Sequence, residues 1–194
     1  MLNLDFERVK NGLIPSKSLF PLYVPLNGLA IERVINRNLL GILPGQGLSI
    51  PHSALLDPAG DEWVVSFRVF MHADGLIFSQ SNDTQGFVVY MLDGQILARV
   101  RTGHSAFLLE ERGTSQSYKN QWVTIEVRIR KGMALLSLNR KRVCMATDEP
   151  ALTGQNLRIR LGDHRERPGF LKDFMDIPPS GFQGAFSSLK ILRQ

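Results

Sequence analysis

Alternation of apolar and polar residues with a period of two is the feature that most constrains this chain. It is clearest in residues 121–143, which read QWVTIEVRIRKGMALLSLNRKRV. Successive side chains of a β-strand point to opposite faces, so Val123, Ile125, Val127 and Ile129 share one face and the polar residues between them share the other. The same pattern recurs in EWVVSFRVFM, GFVVYMLDGQILARV and NLRIRLG. Strands, not helices, are therefore expected over most of the chain.

Turn signals separate these runs at regular spacing. Asp93-Gly94 lies between two alternating runs and indicates a β-hairpin with a two-residue turn. Residues 28–43 are the one stretch with apolar residues near helical spacing, and Asn and Gly interrupt it. About ten to twelve short strands predict an all-β fold, a two-sheet antiparallel jelly-roll sandwich, in one domain over residues 1–194.

Charge and cysteine content narrow the classes of partner and compartment. The net charge of +5 and the pI near 9.7 favour an acidic partner, whether glycan, nucleic acid or anionic membrane surface. Cys144 is the single cysteine, so an intramolecular disulfide and a thiolate zinc cluster are excluded, and a buried structural thiol is expected. No apolar run reaches the roughly 18 residues of a membrane span, and the first residues lack the pattern of a signal peptide.

The order of motifs from residue 46 onward resembles a known family. The motifs are GQGLSIPHSALL, EWVVSFRVFMHADGLIFSQ, GFVVYMLDGQILARV, NQWVTIEVRIRKGMALLSLNRKRV, LRIRLGDH and GFQGAFSSLKIL. Together they resemble laminin G-like domains of the concanavalin A-like lectin/glucanase superfamily. Two departures are Asn139-Arg140, where the family usually has Asp-Gly, and the absence of a cysteine pair. The resemblance implies that residues 1–45 supply an edge strand pairing with the C-terminal strand, and that the protein acts outside the cell or on its surface.

Arginines recur on the polar side of the predicted strands. They form the candidate ligand-binding set: Arg99, Arg101, Arg128, Arg130, Arg158 and Arg160. If they share one sheet face, their guanidinium groups suit the bidentate recognition of sulfate or carboxylate, and the family that the chain resembles includes binders of sulfated glycans. The alternative is an ordinary solvated face, on which Glu126 reduces the positive field.

A calcium ion is implied by the resemblance alone. Laminin G-like domains often hold Ca²⁺ at one rim, and the matching positions here are Asp83 (or Asn82) and Asp148. Calcium takes six to eight oxygen ligands, so backbone carbonyls and water would have to complete such a site. The alternative is that both aspartates are turn residues whose side chains bond nearby backbone.

Catalytic motifs are absent from the sequence. The glucanases of the superfamily carry three carboxylates in an E-x-D-x-(x)-E arrangement, whereas Glu110 and Glu111 are adjacent and would face opposite sides of a strand. His52, His72, His104 and His164 have no ligand spacing. We therefore expect a protein that is not an enzyme.

Aromatic residues predict no platform for stacking sugar rings. Trp63 and Trp122 begin strands and are expected in the core, which leaves Tyr118 and Phe174, in polar loops, as the better candidates for exposed rings. The basic residues alternate with aliphatic ones, not with stacking aromatics, so nucleic acid is not expected as a partner.

These observations predict a non-catalytic binding module for carbohydrate, with acidic or sulfated glycans favoured. It would bind a glycan or a glycosylated surface. One alternative is a protein–protein interaction domain without a sugar site, in contact with its partner through residues 79–86 and 163–180. A second is a divergent glycoside hydrolase.

Overall fold

The structure, a computed structural model, describes most of the chain, chiefly as β-strands. The described residues are 2–17, 23–34, 37–53, 56–58, 62–102, 106–110, 116–130, 132–146, 156–162 and 181–193. The strands are β1 (Leu2–Leu4), β2 (Leu13–Pro15), β3 (Tyr23–Pro25), β4 (Ile31–Val34), β5 (Arg37–Ile42), β6 (Gly47–Ile50), β7 (Glu62–Ala73), β8 (Gly75–Ser81), β9 (Gly86–Leu92), β10 (Gln95–Arg101), β11 (Ala106–Glu110), β12 (Trp122–Arg130), β13 (Met133–Leu138), β14 (Lys141–Ala146), β15 (Arg158–Gly162) and β16 (Gln183–Arg193). A 3₁₀ turn, Phe6–Arg8, lies between β1 and β2.

Within the described residues, two large antiparallel sheets and one small one are formed. The eight-stranded sheet has the order β14-β13-β12-β7-β16-β5-β4, with β1 also paired to β16. The six-stranded sheet has the order β11-β10-β9-β8-β15-β6, and β2 pairs with β3 separately. The predicted all-β, antiparallel jelly-roll sandwich is confirmed.

The core lies between the two large sheets and follows the period-two pattern. In β7, Val65, Phe67 and Val69 are buried among the core residues, whereas Ser66 and Arg68 on the opposite face are partly exposed. Phe67 of the eight-stranded sheet stacks on Phe78 of the six-stranded sheet, with ring centroids 5.4 Å apart. Burial of one face of β7 is what the alternation predicts, whereas β8 is buried on both faces.

Within residues 28–43, where helical spacing is weakly present, the described residues form the two strands β4 and β5 instead of a helix. The strands β4 and β5 pair with each other in antiparallel orientation. On its other side β5 pairs with β16, where Ile42 lies opposite Gly184 and Leu40 lies opposite Phe186. Pairing with β16 buries Leu40 and Ile42 in the core, which outweighs a diluted helical pattern. Among the described residues no helix is both long and apolar enough to cross a membrane.

The Asp93-Gly94 turn is formed as predicted. Leu92 pairs with Gln95, and both turn residues have positive φ, 51° and 76°, as a tight hairpin turn requires. The Asp74 carboxylate accepts hydrogen bonds from the Asp93 and Gly94 backbone N–H groups at 2.9 and 3.1 Å. Asp74 also pairs with Lys119 Nζ at 3.3 Å, so the hairpin tip is tied to the neighbouring loop.

A buried polar contact joins the two large sheets. The Trp63 Nε1–H donates to Gln80 Oε1 at 2.8 Å, and Gln80 Nε2 donates to the Leu56 carbonyl at 2.7 Å. Trp63 lies on β7 and Gln80 on β8, so this hydrogen bond crosses the sandwich. Both side chains are almost fully buried, and Trp63 is the core residue that the sequence predicts.

Candidate functional site

The structure separates the six candidate arginines into two groups. Arg128 and Arg130 lie on β12 of the eight-stranded sheet, whereas Arg99, Arg101, Arg158 and Arg160 lie on β10 and β15 of the six-stranded sheet. They therefore do not form one stripe, because adjacency in a sheet depends on strand order, and the order places the two groups in different layers. Their assignment as ligand-binding residues remains a prediction.

Even within the six-stranded sheet, the arginines of β10 are far from those of β15. The cross-strand row that contains Arg99 runs through Val88 and Ser79 to Arg160. Three strand spacings of roughly 4.8 Å place the two arginines about 14 Å apart at their Cα atoms. Val88 and Ser79, which lie between them, have no exposed surface. A ligand therefore cannot lie flat along this row and contact both arginines. The Arg99 side chain donates a hydrogen bond from Nε to Tyr90 Oη at 3.3 Å.

Arg128 is neutralised within its own sheet. Its Nη1 lies 3.2 Å from Glu62 Oε1 and its Nη2 lies 3.1 Å from Glu126 Oε1. Burial by itself would lower the Arg128 pKa, but the hydrogen bonds and charges of Glu126 and Glu62 raise the pKa above its ordinary value. Two carboxylates thus balance this guanidinium, while Arg130, at the end of β12, is exposed.

The described residues supply little of a calcium site. Asp83 is exposed in the turn between β8 and β9. The neighbouring Asn82 Oδ1 already accepts hydrogen bonds from the Thr84 and Gln85 backbone N–H groups, both at 2.9 Å, which is a side-chain turn of the kind expected for this residue type. In the described part of the chain, no three His, Cys, Asp or Glu residues are grouped as metal ligands would be. Asp148 lies outside the described residues, so Asp83 is the one predicted carboxylate ligand that the structure describes. A single carboxylate does not by itself fit Ca²⁺.

Two aromatic predictions are wrong. Tyr118 is buried, with 4% of its surface exposed, because its loop packs against the hairpin tip and its backbone N–H donates to the Gly94 carbonyl. Trp122 is not a core residue: it is half-buried and pairs with Phe70 on the face of the sheet that points away from the core. Phe174, His104 and His164 lie outside the described residues, as does the side chain of Cys144.

The outer face is the face of the eight-stranded sheet that points away from the core. Its central residues come from β7, β12 and β16, and they are Glu62, Val64, Ser66, Arg68, Phe70, His72, Trp122, Thr124, Glu126, Arg128, Arg130, Ser188, Lys190 and Leu192. Hydroxyl groups, cations and aromatic rings are mixed on it.

Aromatic and cationic side chains follow one another along the outer face of β7. The Phe70 ring lies 5.6 Å from the Trp122 ring and 4.9 Å from the His72 ring, measured between centroids. Arg68 Cζ lies 5.2 Å from the centroid of the Trp122 ring, within the range of a cation–π contact. The order along the strand is therefore imidazole, phenyl with indole, and guanidinium.

A groove opens at the His72 end of this series. It has a volume of about 270 Å³ and lies between the β4–β5 hairpin and the start of β16. Its polar lining comes from Glu32, Gln46, His72 and Gln183. A Cβ at Gly41 would come within 3.1 Å of Glu32 Oε1, so the glycine leaves the space that the carboxylate occupies.

His72 is oriented by a neighbouring loop. Its Nδ1 lies 3.0 Å from Asn120 Oδ1, an oxygen that accepts hydrogen bonds only, so this contact favours the tautomer with the proton on Nδ1. The backbone of Asn120 is held in turn by a 2.7 Å hydrogen bond from its N–H to the Met71 carbonyl. In the neutral ring Nε2 is then the acceptor nitrogen.

The sequence contained the signal for Trp122 but not for the groove. Because side chains alternate along a strand, an inward Val123 requires an outward Trp122 and Thr124. The core position expected for Trp122 followed instead from the general preference of tryptophan for protein cores. Glu32 and Gln183 are about 150 residues apart in sequence and meet only through the pairing of β5 with β16.

Comparisons with known proteins identify the family and the fold. The family described as Laminin G domain matches residues 67–194. No curated protein sequence matches the chain. Among solved structures, that of botulinum neurotoxin type C, whose cell entry depends on two ganglioside molecules, has a TM-score of 0.68 at 12% identity and covers 99% of this chain and 47% of its own.

Two further structures resemble the fold to the same degree. The receptor-binding domain of botulinum neurotoxin type G has a TM-score of 0.67 at 11% identity, covering 100% of this chain and 47% of its own. The binding domain of botulinum neurotoxin DC in complex with rat synaptotagmin II has a TM-score of 0.65 at 12% identity, covering 99% and 47%. The chain spans about half the length of these structures, and identities this low establish likeness of fold alone.

Proposed function

The chain belongs to the laminin G domain family, and from this premise we propose that it is a non-catalytic module that binds carbohydrate through its outer face. The observation that carries the proposal is the half-exposed Phe70–Trp122 ring pair, with Arg68 at one side and His72 and the groove at the other. Sugar rings have apolar C–H faces and polar hydroxyl edges. A site that combines aromatic surface with a few directed polar groups matches both.

Cations of the outer face favour an acidic glycan. Lys190 is exposed and lies opposite Ser66, while Arg68 lies opposite Ser188 on the same pair of strands. Such diagonal positions are about 7–8 Å apart, so the two side chains can reach one carboxylate or sulfate group between them. Arg128 contributes less, because Glu62 and Glu126 already balance it. The net charge of +5 adds long-range attraction for such a ligand.

The groove supports binding over catalysis. Among the described residues, Glu32 is the only carboxylate that lines it. Glycoside hydrolysis uses a pair of carboxyl groups on either side of the bond to be cleaved. A single carboxylate next to amide side chains suits hydrogen bonding to hydroxyl groups.

Location and calcium belong to the same proposal. We place the protein outside the cell or on a cell surface, because glycans of this kind are presented there and the family resemblance implies it. The family resemblance also implies an auxiliary Ca²⁺ with Asp83 and Asp148 as ligands, and the EDTA arm of the experiment below tests this.

A protein partner is the second candidate. It is favoured by the separation of the arginines over both sheets, which spreads positive charge over the molecule instead of concentrating it in one anion site. One structure of similar fold is that of a toxin whose cell entry depends on two ganglioside molecules, and another is a toxin binding domain in complex with rat synaptotagmin II, so both kinds of partner have precedent in this fold. Of the candidate residues 79–86, residues 82–85 form the turn between β8 and β9 and reach the surface, whereas Ser79, Gln80 and Ser81 are buried in β8. Residues 163–180 lie outside the described residues.

A glycan array with sulfated, uronic-acid and neutral oligosaccharides tests the proposal. The full chain is applied with Ca²⁺ and with EDTA, each at two salt concentrations. Binding to the acidic set that weakens at high salt supports the proposal, and sensitivity to EDTA supports the calcium site. Silence across the array contradicts carbohydrate binding and favours the protein partner.

Variants locate the binding surface. We expect Arg68→Gln and Lys190→Gln to lose about tenfold in affinity each, as expected when one charge-assisted hydrogen bond is lost. Lys10→Gln removes the same charge from an exposed N-terminal position and is the matched control, with little change expected. Loss of binding in Arg158→Gln but not in Arg68→Gln would place the ligand on the six-stranded sheet and overturn the outer-face site.

A further inference from the structure

The groove beside His72 has a character different from that of the cationic part of the outer face. Its polar lining contains one anion, Glu32, and no lysine or arginine among the described residues. Arg68 lies four residues before His72 on β7, about 13 Å away along the strand at roughly 3.3 Å per residue. The two regions therefore present opposite charges to different parts of a ligand that lies along β7.

We infer that this groove is a subsite for one neutral hexopyranose ring, held through its hydroxyl groups by Glu32 and His72. The inference rests on the proposed function and deepens it by naming the sugar class that this part of the face takes. An acidic sugar is disfavoured here because its own carboxylate or sulfate would face the Glu32 carboxylate.

The size of the groove suits a single ring. Its volume of about 270 Å³ lies just below the roughly 300–1,000 Å³ of pockets that hold drug-sized ligands. It is open on one side, since Glu32 and His72 are both exposed, so a ring can enter while the rest of a glycan remains outside.

Hydrogen-bonding groups in the groove are complementary to vicinal hydroxyls. The Glu32 carboxylate offers two oxygens that only accept, and His72 Nε2 is an acceptor because Nδ1 donates to Asn120. Gln46 Oε1 lies 3.4 Å from the Leu43 backbone N–H, which leaves the amide NH₂ of Gln46 as a donor toward the groove. A sugar hydroxyl both donates and accepts, so one ring can satisfy acceptors and donors together.

Glycines at two positions keep the groove open. Gly184 lies so close to the Phe70 carbonyl that any Cβ would collide with that backbone, which fixes the start of β16 against β7. At Gly41 the nearest atom to an added Cβ is Glu32 Oε1, at 3.1 Å. Alanine at position 41 would therefore displace the carboxylate without removing it.

Titration of the full chain with methyl hexopyranosides, followed by amide NMR, tests the inference. The probes are the methyl glycosides of glucose, galactose, mannose and N-acetylglucosamine, with methyl glucuronide as the acidic counterpart. We expect at least one neutral glycoside to shift the amides of Gly41, Gly184 and Ala185 in a saturable way. The glucuronide is expected to bind about tenfold more weakly at the same amides.

Two variants distinguish ligand contact from general structure. Glu32→Gln removes the carboxylate charge, and Gly41→Ala displaces the carboxylate. Each variant should bind the neutral glycoside about tenfold more weakly. Glu32→Gln should also reduce the difference in affinity between the neutral glycosides and the glucuronide. A merely structural role of Glu32 would not change this difference. Unchanged melting temperatures verify that both variants fold.

The outcomes separate this inference from the proposed function. The hexose subsite would be overturned by any of three results. The first is no saturable shift with any neutral glycoside, and the second is equal affinity of Glu32→Gln and the unchanged chain for that glycoside. The third is stronger binding of methylammonium, added as a simple cation, than of every glycoside. If the acidic oligosaccharides of the array bind while no neutral glycoside gives a saturable shift, the proposed function stands and the subsite is wrong. If no acidic oligosaccharide of the array binds while a neutral glycoside binds the groove, the subsite stands and the acidic preference is wrong.

Discussion

At the scale of single residues, environment decides what each charged side chain does. Arg128 and Arg68 are both outward-facing arginines of the same sheet. Arg128 lies between two glutamates and is neutralised, whereas Arg68 lies over the Trp122 ring. A cation–π contact leaves the guanidinium N–H groups at the ring edge able to donate, so Arg68 is the better anion ligand.

The Asn139-Arg140 turn predicts a stabilising substitution. Arg140 has φ 69°, in the left-handed region that costs a non-glycine residue about 1–2 kcal/mol. Arg140→Gly should raise the free energy of unfolding by about 0.5–1 kcal/mol once the greater entropy of unfolded glycine is included. Urea denaturation followed by tryptophan fluorescence measures the change.

Asn139→Gly is the matched control for that turn. Asn139 Oδ1 accepts from the Thr124 backbone N–H at 3.0 Å, so this substitution should lower stability although the φ of 51° equally suits glycine. A loss of stability in Arg140→Gly would show that the arginine side chain makes a contribution larger than the backbone strain.

At the scale of elements, the strands β7 and β8 are joined by more than apolar packing. The Trp63–Gln80 hydrogen bond is buried and crosses from one sheet to the other. Burial of apolar surface is non-directional, whereas a hydrogen bond has a defined geometry. Gln80 therefore helps to set how the two sheets align.

Gln80→Leu should be strongly destabilising. It leaves the Trp63 N–H and the Leu56 carbonyl unpaired in the core, at a cost of about 2–4 kcal/mol in unfolding free energy. Guanidinium denaturation measures it. In a Trp63→Phe background the same substitution should cost about 1 kcal/mol less, because one of the two unpaired groups is gone. Equal costs in both backgrounds would contradict the role of this hydrogen bond.

At the scale of the whole molecule, the N-terminal segment is part of the sandwich. Strands β1 and β5 pair with β16, and β6 pairs with β15. Their buried residues include Leu2, Leu40, Ile42, Leu48 and Ile50. Yet the family match begins at residue 67, inside β7. Strands outside the matched segment thus complete both sheets.

A chain shortened to residues 62–194 should fail to fold. It would leave open edges on β16 and β15 and expose apolar surface that the removed strands cover, which favours aggregation. We expect no cooperative thermal transition by circular dichroism and a large aggregate by size-exclusion chromatography. A cooperative transition from a monomeric fragment would show that residues 62–194 form an independent unit.

The sequence by itself determined the strands, the Asp-Gly hairpin and the inward or outward direction of most side chains. These depend on a period of two and on the φ preferences of turn residues, which are local properties. The outward position of Trp122 was equally local, although the preference of tryptophan for cores misled the prediction.

Tertiary structure alone decided which outward residues are neighbours. Strand order placed Arg128 and Arg160 on different sheets, and cross-strand register brought Phe70 beside Trp122 and Gln183 near Glu32. Each of these pairs joins distant parts of the chain, and a strand carries no local mark of which other strand it will pair with. Alternation can therefore state that an arginine faces solvent, but only the assembled sheets decide what shares that solvent-facing surface with it.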